Sequence, residues 1–375
     1  MFDRIARLPL LVILMGIGVL AMIVPGLYGF WANEHYAGRV FLYSALLFGF
    51  VTGFIALAMA GRARGNHPSR HLLALLGLFV ILPLVLAVPF HQALGNTSYL
   101  NAYVEMVSAL TTTGATLFDD PGRLPDTLHL WRALVGWLGG LFIWVGAIAI
   151  LAPMALGGFE VRAHRIWNAG AHHTSQITHV ADLSQRIRVY GAQLLPLYGG
   201  LTAILWLGLI LAGDHPFVAL CHAMSTMATS GISPVGGPAG GGAGLGGEVM
   251  IALFLGFGLS RLTFTRDGMS SDLTNLARDP EVRLALVLIL VVPGFLFARH
   301  WLGAYEVDQE MDLLAGLASL WGSLFTVLSF LTTNGFESRA WEASQAWSGL
   351  HTPGLILMGL ALIGGGVATT AGGAK

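Results

Sequence analysis

Cysteine, lysine and charge are nearly absent from this sequence. Of 375 residues one is a cysteine, Cys221, one is a lysine, Lys375, and only 10% are charged. A lone cysteine excludes an internal disulfide and any cysteine-based metal spacing, so Cys221 reads as a small packing residue. A formal net charge of −1 excludes the broad basic field that recruits nucleic acid. The single lysine ends the run Gly372-Gly373-Ala374-Lys375, which lacks the Gly-Lys-Ser/Thr of a phosphate loop, so no nucleotide site is expected here. An ordinary soluble domain carries roughly 25% charged residues. A chain this poor in charge and 55% hydrophobic belongs in a bilayer.

What is present is a series of apolar stretches of about 20 residues, the length that crosses a hydrocarbon core. Two come first, near residues 8–31 and 40–60, joined by a polar turn with Asn33, Glu34 and His35. Arg4 and Arg7 precede the first, but no small-residue cleavage site leads to a polar mature start, so it reads as a retained anchor. A third span, near 72–88, is followed by a short helix over 100–110, too short to cross at 1.5 Å per residue. Thr111-Thr112-Thr113-Gly114-Ala115-Thr116 follows, then a polar loop and a span over 131–156.

The same order of parts returns twice. A span near 194–212, a short helix over 217–227 and Ala228-Thr229-Ser230-Gly231-Ile232-Ser233 lead through a Gly-rich loop to a span near 249–264. A span near 282–297, a helix near 313–330 and Leu331-Thr332-Thr333-Asn334-Gly335-Phe336 continue into 353–363. Gly114, Gly231 and Gly335 are spaced 117 and 104 residues apart, which marks an internal repeat. With the N-terminus inside, thirteen arginines fall on the inner side and five outside, namely Arg39, Arg123, Arg132, Arg299 and Arg339. That bias fits the positive-inside rule only if each short helix enters and leaves on the same side. Asp119, Asp120, Asp126, Asp214, Glu248, Glu337 and Glu342 fall outside, where they form an acidic vestibule or simply solvate loops.

Such loops suit cation passage. A ring of backbone carbonyls replaces a hydration shell without a fixed charge that traps the ion. Irregular backbone at membrane depth is tolerated only beside a cavity, glycine reaches the positive φ it needs, and the preceding helix aims its negative end at the same place. One Thr-Thr-Gly is ordinarily a close-packing feature; three in equivalent places point to a filter.

The sequence resembles the Trk/Ktr/HKT superfamily of potassium transporters over essentially its whole length. The resemblance rests on Ser108-Ala109-Leu110-Thr111-Thr112-Thr113-Gly114-Ala115-Thr116, on Gly136-Trp137-Leu138-Gly139-Gly140, on Cys221-His222-Ala223-Met224-Ser225-Thr226, and on Asp279-Pro280-Glu281 ahead of a span. It implies an all-α polytopic membrane protein: a two-helix unit (1–66), then pore repeats at 67–160, 161–270 and 271–375 around a pseudo-fourfold pore. It implies potassium as the transported ion, no cofactor and no enzymatic activity, and a filter of Thr111, Thr112, Thr113, Gly114 and Ala115; Ala228, Thr229, Ser230, Gly231 and Ile232; and Thr332, Thr333, Asn334, Gly335 and Phe336. Glycine in all three loops implies potassium selectivity, although Ser230 and Asn334 depart from the Thr, Gly or Ala usual before the glycine.

The Gly-rich end, with Gly364, Gly365, Gly366, Thr369, Thr370, Gly372, Gly373 and Lys375, resembles the family's intramembrane gating loop; its small residues favour irregular backbone. The resemblance also implies a homodimer in a bacterial inner membrane, docked to a separate cytoplasmic nucleotide-binding regulatory subunit of the TrkA/KtrA type. A chain end at Lys375 would place a carboxylate beside the bilayer, so the sequence is expected to be a fragment lacking a fourth repeat of roughly another hundred residues. Two other readings compete. A broken-helix transporter of an organic solute would explain the Gly-rich breaks, and Ser230-Gly231 invites an intramembrane serine protease, against which stands Ala228 where a rhomboid-type motif has glycine. His164, His172, His173 and His179 match no familiar zinc spacing and read as a solvated loop.

Overall fold

A computed structural model describes residues 9–59, 68–151, 183–259, 280–304, 313–349, 352–366 and 369–372. Among these the regular elements are all helices. Six stretches are long and apolar enough to cross a membrane: Leu10–Trp31, His35–Met59, Leu73–Leu94, Asp126–Ile150, Val189–Leu211 and Val282–Arg299. The protein is an all-α polytopic membrane protein. It divides into two compact units, Met1–Gly199 and Gly200–Lys375.

The first unit holds α1 (Leu10–Ala21), α2 (Ile23–Trp31), α3 (His35–Met59), α4 (Pro68–Leu94), α5 (Tyr99–Leu110) and α6 (Asp126–Gly146), which runs on into a π turn, Ala147–Leu151. The expected first span is broken at Met22, because Pro25 offers no N–H to the Ala21 carbonyl and its ring crowds that turn. Asn33 takes left-handed backbone, φ 61°, and turns the chain into α3. Small residues then bring α2 and α3 together: a Cβ on Gly29 would lie 2.8 Å from the Gly38 nitrogen.

Pro83 and Pro89 loosen the α4 ladder, and neighbours supply donors to the carbonyls three residues before each. Tyr103 donates to Val80 O at 3.2 Å and Trp131 Nε1 to Leu86 O at 3.2 Å. The α6 helix is the interior one, with 78% of its span buried against 22% for α3. That explains its glycine run: a Cβ on Gly139 would collide with the Leu110 carbonyl at the end of α5.

The division between units falls within α7 (Leu183–Leu211). After it come α8 (Pro216–Ala228), α9 (Gly244–Leu255), α10 (Pro280–Ala304), α11 (Leu313–Leu331), α12 (Trp341–Ser348) and α13 (Gly354–Ile363). Leu205 and Leu209 of α7, Ile251 and Leu255 of α9, and Phe325 and Leu331 of α11 belong to one buried core.

Several helices depart from the expected bounds. α6 begins at Asp126 rather than Trp131, because the Glu34 carboxylate accepts the N–H groups of Asp126 and Thr127, each at 2.9 Å, and caps its first turn. The span expected near 249–264 is a 12-residue helix, α9, ending in a 3-10 turn, Gly256–Leu259, among the described residues. The third pore helix, α11, keeps its expected bounds and, with 19 residues, is about 28 Å long, where α5 and α8 have 12 and 13. And α12 is a helix where a loop was expected.

Candidate ion site

Each of α5, α8 and α11 ends in a loop of one design. Thr112, Thr229 and Thr333 have φ of 55°, 49° and 57°, and Gly114, Gly231 and Gly335 have φ of 72°, 65° and 78°. Positive φ is costly for a β-branched residue, and strain repeated at equivalent places belongs to functional sites. The amide hydrogens explain how it is held. Thr113, Ser230 and Asn334 donate their N–H to the carbonyls of Ser108, Ser225 and Ser329, at 2.9, 2.9 and 2.8 Å. Gly114 and Gly335 donate to the same serines, at 3.4 and 3.3 Å.

A trans peptide points its C=O away from its N–H. Amides turned back to the helix end therefore turn the preceding carbonyls the other way. Among the described residues, no carbonyl of 112–114, 229–231 or 333–335 accepts a hydrogen bond. The Ala115 carbonyl differs, accepting the Ser108 hydroxyl at 2.6 Å. The serine is a shared feature legible in the sequence as Ser-x-x-x-Thr-x-Gly, and the glycines alone do not reveal it.

Three buried carboxylates hold the segments that leave these loops. Glu105, in α5, accepts the Leu117 N–H at 3.2 Å and pairs with Arg132 of α6 at 2.7 Å, their side chains 1% and 6% exposed. Asp214, before α8, accepts the amides of Gly242 and Ala243. Glu248, in α9, accepts the Arg339 N–H at 2.6 Å, the Ser338 hydroxyl at 2.8 Å and Trp321 Nε1 at 2.7 Å. Arg132, Asp214 and Glu248 are thus buried structural groups, which corrects the reading of the two acids as vestibule or loop-solvating charges. Glu337, beside the third loop, is exposed as expected, and partial burial and then Glu342 push its carboxyl above the usual range.

His222 of α8 stands between Asp214 and the loop after the second glycine. Its Nδ1 lies 3.5 Å from Asp214 Oδ2 and its Nε2 lies 2.8 Å from Ser233 Oγ. Burial pushes the Asp214 carboxyl up, but the His222 contact and the Gly242 and Ala243 amides outweigh it, leaving it below the usual range. The order Asp, His, Ser imitates a hydrolase triad without being one. Ser233 Oγ accepts two backbone N–H groups, from Val235 at 3.2 Å and Gly237 at 2.8 Å, so its lone pairs are engaged and no nucleophile is presented. Ser230 donates to Ser225 Oγ at 3.3 Å, with both residues buried, which removes the other serine of the protease reading.

The structure brings the second and third loops together: Asn334 Oδ1 accepts the Gly231 N–H at 3.2 Å, and a Cβ on Gly231 would collide with the Asn334 carbonyl. Ile232 and Phe336 turn their side chains into the protein, with Phe336 edge-on to His222. The Gly-rich end packs near these loops. Gly364 closes α13 with φ 70°. Gly366 N–H and Thr369 Oγ1 both donate to the Gly258 carbonyl, at 3.0 and 3.2 Å. A Cβ at Gly258 would sit 3.4 Å from Ala371, 3.7 Å from the Thr229 methyl and 3.9 Å from the Thr332 methyl. Gly373 and Lys375, expected in the same segment, lie outside the described residues, as do His164, His172, His173 and His179. Among the described residues no group of three His, Cys, Asp or Glu side chains could hold a metal ion.

No protein-family model matches the chain. The Trk system potassium uptake protein TrkI of Halomonas elongata is 31% identical over 303 residues, covering 79% of this chain and 54% of that protein. TrkH of Salmonella typhimurium is 29% identical over 389 aligned positions, covering 100% of this chain and 73% of that protein. The crystal structure of the potassium transporter TrkH from Vibrio parahaemolyticus superposes with a TM-score of 0.77 at 23% identity, over 100% of this chain and 73% of that one. The chain is similar in sequence to potassium uptake proteins of Trk systems. Its fold is the TrkH fold, and it spans about half the length of the Halomonas Trk proteins it matches. The glycine loops, the α6 glycine run and the Gly-rich end are the parts of this chain whose geometry asks for a function.

Proposed function

We propose that this chain forms potassium-conducting pore elements of a Trk-type uptake protein in a bacterial inner membrane, a transporter rather than an enzyme. The carrying observation is the set of carbonyls at 112–114, 229–231 and 333–335, which accept no hydrogen bond among the described residues, those of 112, 113, 229, 333 and 334 being turned away from their helix ends. Unpaired carbonyls are expensive at membrane depth, and a partly dehydrated cation is the partner that satisfies them. Each loop acts as one quadrant of a pseudo-fourfold filter within its own repeat (67–160, 161–270 and 271–375), with 1–66 as the N-terminal pair. The N-terminus lies inside, and the protein pairs with a second copy and with a nucleotide-binding regulatory subunit.

Expression from the native reading frame in a bacterium lacking potassium uptake tests this. Growth at low potassium is expected to be restored, with rubidium uptake competed by potassium but not by amino acids or sugars. Competition by an organic solute would instead support the broken-helix solute transporter.

The first loop carries the selectivity prediction. Gly114 has φ 72°, where serine is strained by about 1 kcal/mol or more, and the displaced carbonyls lose their fit to potassium. Gly114→Ser is expected to lower the potassium-to-sodium permeability ratio about fivefold or more, since 1.4 kcal/mol is tenfold. An unchanged ratio removes the filter role from this loop.

Gly364, Gly365, Gly366, Thr369, Thr370 and Gly372, with Gly373 and Lys375 outside the described residues, act as the gate. A Cβ on Gly365 would lie 2.6 Å from the Gly258 carbonyl and 2.7 Å from Ala371 Cβ. Overpacking of that kind costs ~1–3 kcal/mol, enough to move a closed segment's population about five- to a hundredfold. Gly365→Ala is therefore expected to raise rubidium efflux from proteoliposomes severalfold, and wild-type efflux refutes the gate.

A further inference from the structure

The three loops share one hydrogen-bond scheme except at a single amide. In the first and third, the glycine N–H returns to the serine carbonyl of its own helix, Gly114 to Ser108 and Gly335 to Ser329. In the second, the Gly231 N–H goes across to Asn334 Oδ1 at 3.2 Å. We propose that Asn334 is a positioning and specificity-determining residue of the second loop: its side chain replaces the helix-end carbonyl that the other loops use. The proposal rests on the potassium-filter reading above.

The peptide between Ser230 and Gly231 is planar and trans, so fixing its N–H fixes the direction of the Ser230 carbonyl. That carbonyl is one of those without a hydrogen-bond partner among the described residues. Asn334 thus sets the aim of a carbonyl in a neighbouring loop while contributing its own backbone to the third. The amide's orientation is not arbitrary, because only Oδ1 accepts from an N–H. Asn334 is 2% exposed and its Nδ2 has no hydrogen-bond partner among the described residues, so its bond to Gly231 is the one polar task its side chain performs there. The loops are also closest at this point, since any Cβ on Gly231 meets the Asn334 carbonyl. Thr113 and Ser230 occupy the equivalent positions, and neither side chain makes such a reach: Thr113 meets Thr111 in its own loop, and Ser230 meets Ser225.

The test compares Asn334→Ala and Asn334→Asp with the wild type, reading rubidium uptake and the potassium-to-sodium ratio in the uptake-deficient strain. Asn334→Ala frees the Gly231 amide and is expected to lower the ratio about three- to tenfold, the weight of one lost hydrogen bond, while rubidium still enters. Asn334→Asp keeps an acceptor facing Gly231 and is expected to restore most of the ratio. Asn334→Ser, polar but too short to reach, is the second variant should the alanine form not accumulate, and the same drop is expected. A wild-type ratio in either truncated variant overturns the proposal, as does an aspartate variant no better than alanine. A wild type that carries no rubidium overturns the potassium-filter reading itself, so the two failures are distinguishable.

Discussion

Gly231→Ala is expected to abolish the proposed potassium uptake, whereas Gly335→Ala is expected only to weaken it. Both glycines have positive φ, 65° and 78°, so both alanines carry backbone strain of about 1–3 kcal/mol. Their surroundings differ. Nothing lies within 4 Å of a Cβ on Gly335, while one on Gly231 collides with the Asn334 carbonyl. Relief of that collision must move the third loop, the second loop or both, adding ~1–3 kcal/mol of overpacking and redirecting carbonyls on two loops together. At tenfold per 1.4 kcal/mol, the strain alone predicts a loss of rubidium uptake of about five- to a hundredfold for Gly335→Ala, and the overpacking predicts a further loss of about five- to a hundredfold for Gly231→Ala. Uptake rates normalised to protein in the membrane decide it. Equal losses, or the larger loss at Gly335, would show that the contact between loops does not matter to conduction.

These loops were legible in the sequence because their signals are local. A short apolar helix, a Ser/Thr run and a glycine lie within a dozen residues, and the repeat multiplies a weak motif into a strong one. The threonines at 112, 229 and 333 were visible as residues but not as left-handed backbone, since propensity argues against φ > 0 for a β-branched side chain. Only the loop amides bound back to the serine carbonyl of their own helix, at Ser108, Ser225 and Ser329, show why the conformation is held.

The carboxylates were misread for the opposite reason: their partners are remote. Asp214 binds amides 28 and 29 residues away, and Glu248 binds Ser338 and Arg339 across 90 and 91 residues. An acid near a polar loop looks like a solvated loop acid until the loop is seen folded over it. Glu34 caps a helix more than 90 residues away in the same manner. Charge within an apolar stretch was the available clue, because ionisable residues there are expensive and paired, and Glu105 and Arg132 are such residues. Hydropathy alone continues past α9 through Gly256 and Gly258, where the structure has a 3-10 turn whose Gly258 carbonyl accepts from Gly366 and Thr369.

The Glu105–Arg132 pair gives the largest expected stability effect. Arg132→Met keeps the length and apolar stem but leaves the Glu105 carboxylate buried without its cation. Breaking one side of a buried pair costs about 3–5 kcal/mol, much of it the desolvation of the remaining charge. A loss of that size consumes a large part of a typical folding stability of about 5–15 kcal/mol, so the variant is expected to melt much earlier in detergent and to reach the membrane in small amounts. Glu105 also accepts the Leu117 amide, so the segment leaving the first loop loosens with it. The double variant Glu105→Gln/Arg132→Met separates the two contributions. Glutamine keeps an acceptor for Leu117 and removes the stranded charge, so most of the stability is expected to return, because replacing both ions of a buried pair is often neutral. If the double variant is as unstable as Arg132→Met alone, the defect lies in packing around α6, and the charge is not what Arg132 is there to neutralise.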